Sequence, residues 1–261
     1  MLSIKKEDIT LAYTDEGSST TVAPMVLIHG WGCDHTSLKA QAEYFSRTRR
    51  VISLDLPGHG ESDAPSGDYT MASYAADVAW LCTALALHKP VMVGHSMGGS
   101  ILLELSARYP ETPGSIVLID SVLFPSEGSI EASAPLITAL AGPEFASAYR
   151  SGISKLHLTT DEIAAHDSVF ASLPRAPQHV LAASLIDHVV GHDVVAAASG
   201  CKVPVAYISS AHLLADLEKL TMLTPQVVTA QVLGAGHFSP VLVPDQINAM
   251  LARFAALSGL L

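Results

Sequence analysis

The chain has 261 residues, 49% hydrophobic and only 15% charged, with a formal net charge of −11. Length and apolar content allow one large α/β domain with a sizeable core, or two small domains. The acidic balance excludes a basic nucleic-acid footprint and disfavours an anionic membrane surface as partner. Cys33, Cys82 and Cys201 are widely spaced and show no metal-binding pattern such as C-x-x-C, so they read as reduced, buried thiols. Met1 to Asp8 has no apolar signal core, and no run is long and apolar enough to span a bilayer. The expectation is a cytoplasmic protein with a small-molecule substrate; the oligomeric state stays open.

In chain order, Ile4 to Tyr13 reads as one or two strands and Glu16 to Ser19 as a turn. Val22 to Ile28 is a buried strand ended by His29-Gly30-Trp31-Gly32, and Ser37 to Phe45 a helix. Val51 to Leu54 is the next strand, closed by Asp55 to Ser62. Tyr69 to Leu87 has helical spacing, with Tyr74, Val78, Leu81 and Leu85 on one face. A strand over 90–93, a helix over 97–109 stopped by Pro110, and a strand over Ser115 to Ile119 follow. Strand and helix alternate, and the strands are continuous apolar runs. Both features predict a mostly parallel central sheet with helices on both faces.

From about Phe124 to Ser199 the rhythm changes to helical pieces broken by Gly142-Pro143, Leu158 to Asp161 and Pro174 to Pro177. This is expected to form a helical cap over 123–199, with the α/β core made of 1–122 and 200–261. Strands resume at Pro204 to Ser209 and Gln226 to Leu233, and Pro244 to Leu257 reads as a C-terminal helix. Leu213 to Leu220 also looks helical.

Gly94-His95-Ser96-Met97-Gly98 sits between the strand over 90–93 and the following helix. That is G-x-S-x-G in the strand–turn–helix setting that pushes a serine hydroxyl out of a sheet. A serine hydroxyl is a poor nucleophile and needs a base within hydrogen-bond reach, itself oriented by an acid. In this arrangement the order is Ser, acid, His. Among 12 histidines, His237 stands out by its late position and its Gly234-Ala235-Gly236 setting. The oxyanion needs two backbone donors. The amides of Met97 and Trp31 are the candidates. His95 reads as packing beneath the serine, and Cys33 as a small thiol near the oxyanion loop.

Taken together, Val26 to Trp31, Asp55 to Ser62, Gly94 to Gly99 and Gly236-His237 resemble the α/β-hydrolase fold superfamily, over essentially the whole chain. The resemblance implies a shaping rather than catalytic role for Asp55 to Ser62. It places the usual acid where this chain has Leu213. Asp120, ending the strand over Ser115 to Ile119, is the alternative position, with Asp216 as a rival. The resemblance implies a serine esterase or lactonase in which Ser96, His237 and Asp120 act. Trp31, Phe124, Phe145 and Phe238 are expected to line an apolar substrate pocket. The cap is expected to contribute further apolar residues, among them Ile153, Phe170 and Leu181. No metal cluster and no Gly-x-Gly-x-x-Gly after the first strand are evident, so no cofactor is expected.

Two other readings share the fold. A cofactor-independent dioxygenase of heteroaromatic substrates would use His237 as base toward the substrate, with Asp34-His35 beside the Gly-Trp loop; Met97 stands where such proteins are expected to have a histidine. A ligand receptor with a slow triad is the other. Epoxide hydrolases and haloalkane dehalogenases are disfavoured, because the similar folds carry Asp where this chain has Ser96.

Overall fold

The computed structural model describes residues 1–18, 21–158 and 176–259. Strands β1 (Leu2–Lys6) and β2 (Ile9–Glu16) form an antiparallel pair at one edge. β3 (Met25–Ile28), β4 (Val51–Leu54), β5 (Val91–His95), β6 (Ser115–Ile119), β7 (Val205–Ser209) and β8 (Val227–Gln231) are parallel to one another. The eight strands run in the order β1-β2-β4-β3-β5-β6-β7-β8. β3 to β7 are buried along their whole length. A strand covered on both faces needs apolar residues at every position, because successive side chains point to opposite sides.

Those alternating side chains feed two cores. Met25, Leu27, Val93, Val117 and Ile119 join the cluster that includes Phe45 of α1 (Lys39–Phe45) and Leu251 of the C-terminal helix Pro244–Leu257. Val26, Ile28, Met92, Ile116 and Leu118 join the opposite cluster with α2 (Met71–Ala84) and α3 (Met97–Arg108). Thr70 opens α2 with a capping box. Its hydroxyl accepts from the Ser73 amide, and the Ser73 hydroxyl accepts from the Thr70 amide, both at 3.0 Å.

Between β6 and β7 lie α4 (Glu127–Leu140), α5 (Phe145–Ser154), α6 (Gln178–Ile186) and α7 (Val194–Gly200). α4 packs on α5 and α6, and the Gln178 amide donates to the Leu140 and Gly142 carbonyls at the end of α4. α7 falls within the expected cap range but packs against α3. A π-turn over Asp187–Gly191 joins α6 to α7. The turn is tied to the core at three points. Asp187 accepts from the Met71 amide at 2.7 Å, His188 Nε2 meets the Ser100 hydroxyl at 3.0 Å, and His192 Nε2 meets Glu104 at 3.1 Å. α8 (Leu217–Leu223), a short α9 (Ser239–Leu242) and α10 (Pro244–Leu257) complete the chain.

The strand expected from Val22 starts at Met25, and the helix expected over 213–220 runs from Leu217 to Leu223. Its start is set by Asp216, whose side chain accepts from the Lys219 amide and caps the first turn. Phe170, expected in the cap, and the breaks at 159–161 and 174–175 lie outside the described residues.

The core also makes the fold acid-sensitive. Burial drives the imidazoles of His59, His95 and His188 down to about 3, and lowers His29 as well. Their unfolded values lie near 6.5. Between those limits the folded state binds fewer protons than the unfolded chain. The stability is therefore fully present above about pH 6.5 and is lost as pH falls. All of these groups act in the same direction, each lowering stability as pH falls below its unfolded value. We expect chemical unfolding midpoints to fall steeply from about pH 6.5 downward, followed by circular dichroism. A flat profile through that range would contradict the buried neutral histidines.

Candidate active site

Ser96 lies between β5 and α3 with φ +53° and ψ −120°. A positive φ on a non-glycine residue costs about 1–3 kcal/mol and persists only where the surroundings enforce it. Here the Ser96 amide donates to the Ile119 carbonyl of β6 at 2.8 Å, and the Ser96 carbonyl accepts from the Gly99 amide at 3.0 Å. The elbow needs glycine on both sides. A Cβ on Gly94 would overlap the Gly98 backbone, and one on Gly98 would overlap the Ile28 carbonyl. Tight packing of α3 against β3 and β5 is what projects the serine at the strand end.

The adjacent strand delivers an acid. Asp120 follows β6 with φ +47° and is fully buried. Its amide donates to the Ile208 carbonyl of β7, and its Oδ1 accepts from the Ser210 amide at 2.9 Å. Oδ2 lies 2.7 Å from His237 Nδ1. A carboxylate facing Nδ1 makes that nitrogen the donor and leaves Nε2 free to accept a proton. Burial pushes the Asp120 carboxyl up, but the hydrogen bond from His237 and its charge outweigh burial and hold it below the usual carboxylate range. Asp216 is occupied as the cap of α8, and Leu213 is exposed on the surface.

His237 sits in the loop after β8, and this loop is held by a residue expected only to pack. His95 Nε2 donates to the His237 carbonyl at 2.8 Å, with the two rings 4.7 Å apart. Burial, and then the neighbouring His237, keep His95 neutral. The motif shows a histidine at 95, but its partner is 142 residues away in sequence, so pattern alone could not reveal the contact. We expect His95→Leu to lower kcat about 10- to 100-fold with little change in KM, because a misplaced base loses rate rather than binding. His95→Gln, which restores a donor, should recover much of it. Steady-state kinetics of both variants check this, and equal losses in the two would contradict it.

Gly30 runs directly beneath the serine: a Cβ there would lie 3.1 Å from Ser96 Cβ and 3.2 Å from His95 Nδ1. The backbone of Gly30-Trp31 thus passes close to the hydroxyl-bearing carbon. Met97 opens α3, so its amide is among the four that find no intrahelical acceptor, at the positive end of the helix. Two amides in these places can meet a developing oxyanion.

A cavity of about 30 Å³ is lined by Gly30, Trp31, Cys33, His95, Ser96, Ile153, Leu156, His237 and Phe238. Trp31 and Phe238 therefore border the site, whereas Phe124 and Phe145 do not line this cavity. Both are partly buried against the core, and Phe124 lies under the Lys219 ammonium at 5.0 Å from its ring. Ile153 and Leu156 come from α5 and the turn after it. The Leu156 carbonyl accepts from the His237 amide at 3.3 Å, and the Trp31 indole donates to the Leu181 carbonyl at 3.0 Å. Burial raises the Cys33 thiol to about 12, so it stays protonated.

Asp34 and His35 are engaged elsewhere. Asp34 accepts from the Thr36 amide at 2.9 Å, capping a 3₁₀ turn. His35 donates its amide and presents Nδ1 to Asp55 Oδ1, at 2.7 and 2.8 Å. Asp55 also accepts from the Glu61 amide, so the Asp55 to Ser62 loop is tied to the Gly-Trp loop by one buried carboxylate. Among the described residues no group of three or more His, Cys, Asp or Glu side chains could hold a metal ion, and no single helix is long and apolar enough to cross a membrane.

The fold is shared with known proteins. The enol-lactonase of Burkholderia xenovorans superposes with a TM-score of 0.86 at 23% identity, over 98% of this chain and 100% of that one. A thermophilic esterase of Thermogutta terrifontis gives 0.85 at 23% identity over 98% of each chain. A non-heme chloroperoxidase of Streptomyces lividans is 42% identical over 101 residues, 38% of this chain and 37% of that protein. The chain spans about a third of the length of the curated relatives it matches. Residues 23–194 match the family model described as the alpha/beta hydrolase fold, which takes in the sheet from β3 to β6 and the elbow. With most of its length inside that match, the chain belongs to the alpha/beta hydrolase fold family.

Proposed function

We propose that the protein is a serine hydrolase that cleaves a carboxylic ester or lactone of a small to medium apolar substrate through an acyl-enzyme. The observation that carries this reading is the Asp120–His237 hydrogen bond of 2.7 Å, with Ser96 and His237 bordering the same cavity. His237 Nε2 takes the Ser96 proton as Oγ attacks the carbonyl carbon. The tetrahedral oxyanion accepts from the Met97 and Trp31 amides. His237 then gives the proton to the leaving alkoxide, and the acyl group stays on Ser96. In the second half-reaction His237 takes a proton from water, whose oxygen attacks the acyl carbon. Collapse of that intermediate returns the proton to Ser96 and releases the acid. Asp120 holds the tautomer throughout and stabilises the imidazolium.

The site's chemistry supports an uncharged substrate. Among the described residues no lysine or arginine borders the cavity, and Trp31, Ile153, Leu156 and Phe238 make it apolar. The esterase and lactonase names among similar structures agree with hydrolysis of an ester or lactone. Rapid mixing with a p-nitrophenyl ester tests the acyl-enzyme. We expect a burst of p-nitrophenol approaching one equivalent per chain when deacylation is the slower step, and acylated Ser96 in quenched samples by mass spectrometry. Turnover with label on no residue, or on another residue, would argue against this route.

A further inference from the structure

Among the described residues that line the cavity at Ser96, Ile153 and Leu156 alone come from the segment between β6 and β7. The others belong to the Gly-Trp loop, the elbow and the His237 loop, which carry the reacting groups. Ile153 and Leu156 therefore shape the space without taking part in the chemistry. Both are held in place. Gly152 faces α4 so closely that a Cβ on it would lie 2.9 Å from Leu136 Cδ2. Tyr149, one turn before Ile153, packs its ring 4.7 Å from that of Trp31. Its phenol fills the space over Gly32, where a Cβ would collide with it. Residues four apart share a helix face, so Ile153, 3% exposed, stands beside Tyr149 on the side toward Trp31. The turn after α5 is tied to the His237 loop, because the Leu156 carbonyl accepts from the His237 amide at 3.3 Å.

The space these walls enclose is small. Its volume is about 30 Å³, whereas pockets for drug-sized ligands start at about 300 Å³. The acyl group stays bonded to Ser96 through both half-reactions, while the alcohol departs after the first. The enclosed space beside Ser96 is therefore the acyl group's, and the alcohol need not enter it. We propose that Ile153 and Leu156 are specificity-determining residues that close the acyl pocket. They restrict the substrate to esters of short, unbranched acids of about two to four carbons, with the size of the alcohol left free. The inference rests on the hydrolase reading.

Two ester series test it: p-nitrophenyl acetate, butanoate and hexanoate vary the acyl side, and methyl, butyl and hexyl acetates vary the alcohol side. We expect kcat/KM of the native protein to drop at the hexanoate. Ile153→Ala should raise the hexanoate-to-acetate ratio of kcat/KM about tenfold or more, the scale of a methylene in an apolar pocket. The hexyl-to-methyl acetate ratio should stay where it was. Comparing each ratio before and after substitution cancels the intrinsic reactivity of the esters. Leu156→Ala truncates a less buried side chain and should act in the same direction, which covers the case of a poorly folded Ile153→Ala protein; a thermal melt reads the folding of each. A native rate that climbs through the hexanoate, unchanged acyl ratios in the folded variants, or a shift in the alcohol ratios instead, would overturn the proposal while ester hydrolysis stands. Hydrolysis of none of these esters, with no acylated Ser96, would refute the hydrolase reading itself and the acyl pocket with it.

Discussion

Ser96→Ala should lower ester turnover by about 10⁵-fold or more, on the scale seen when the nucleophile of such a unit is removed, while the protein stays folded. In the proposed mechanism the hydroxyl is the only protein group that bonds to the acyl carbon, and no neighbour among the described residues can replace it. Cys33 borders the same cavity, but its thiol is held protonated by burial. The fold should not need the Oγ. Ser96 is anchored by its backbone, through the Ile119 carbonyl and the Gly99 amide, and alanine has the same Cβ at the same φ of +53°. Steady-state kinetics with p-nitrophenyl esters, beside a thermal melt, measure both halves of the expectation. Retained turnover in a folded Ser96→Ala protein would remove the nucleophile from the mechanism.

The second large effect concerns the acid. Asp120→Asn should cost about 10⁴-fold in kcat, because an amide nitrogen facing His237 Nδ1 forces the wrong tautomer. Nδ1 must then accept, Nε2 carries the proton, and the Ser96 proton has nowhere to go. The Ser210 amide still finds an acceptor in the carbonyl oxygen of the substituted side chain, so the local backbone should survive. The oriented carboxylate is also part of the pH response. Its folded ionisation lies below the unfolded value, so its contribution to stability is present at neutral pH and is lost as acid protonates it. Asp216→Asn is the control. Asparagine caps a helix as well as aspartate, so α8 and turnover should both persist. If Asp216→Asn were the change that collapsed kcat, the carboxylate assignment would have to move.

These outcomes depend on contacts that differ in how readable they are from the chain. Ser96 is marked by its neighbours: an apolar strand, small residues at 94 and 98, and a helix after it, all within a few positions. The strand limits at Val51–Leu54 and Ser115–Ile119 agree with the pattern because a doubly covered strand is apolar throughout. The start of α8 does not, since apolar spacing runs through Leu213 to Leu220 while the cap at Asp216 sets the first turn. The aromatic residues of the cap depart from expectation for a related reason. Composition marks Phe124 and Phe145 as apolar, but only packing decides which apolar residues face the serine, and Ile153 and Leu156 do.

The linear chain by itself determined the class of sheet, the strand–turn–helix elbow at Ser96 and the glycine-flanked loop at His237, because each rests on steric rules acting over a handful of consecutive residues. Tertiary structure decided the rest. Asp120 meets His237 because parallel neighbours β6 and β7 align the strand ends, and the Ile208 and Ser210 backbones grip the aspartate from the adjacent strand. His95 reaches the His237 carbonyl, and Tyr149 reaches Gly32, across sequence distances at which no periodicity survives. Such contacts arise where separate elements converge at one end of the sheet, and only the folded chain brings them there.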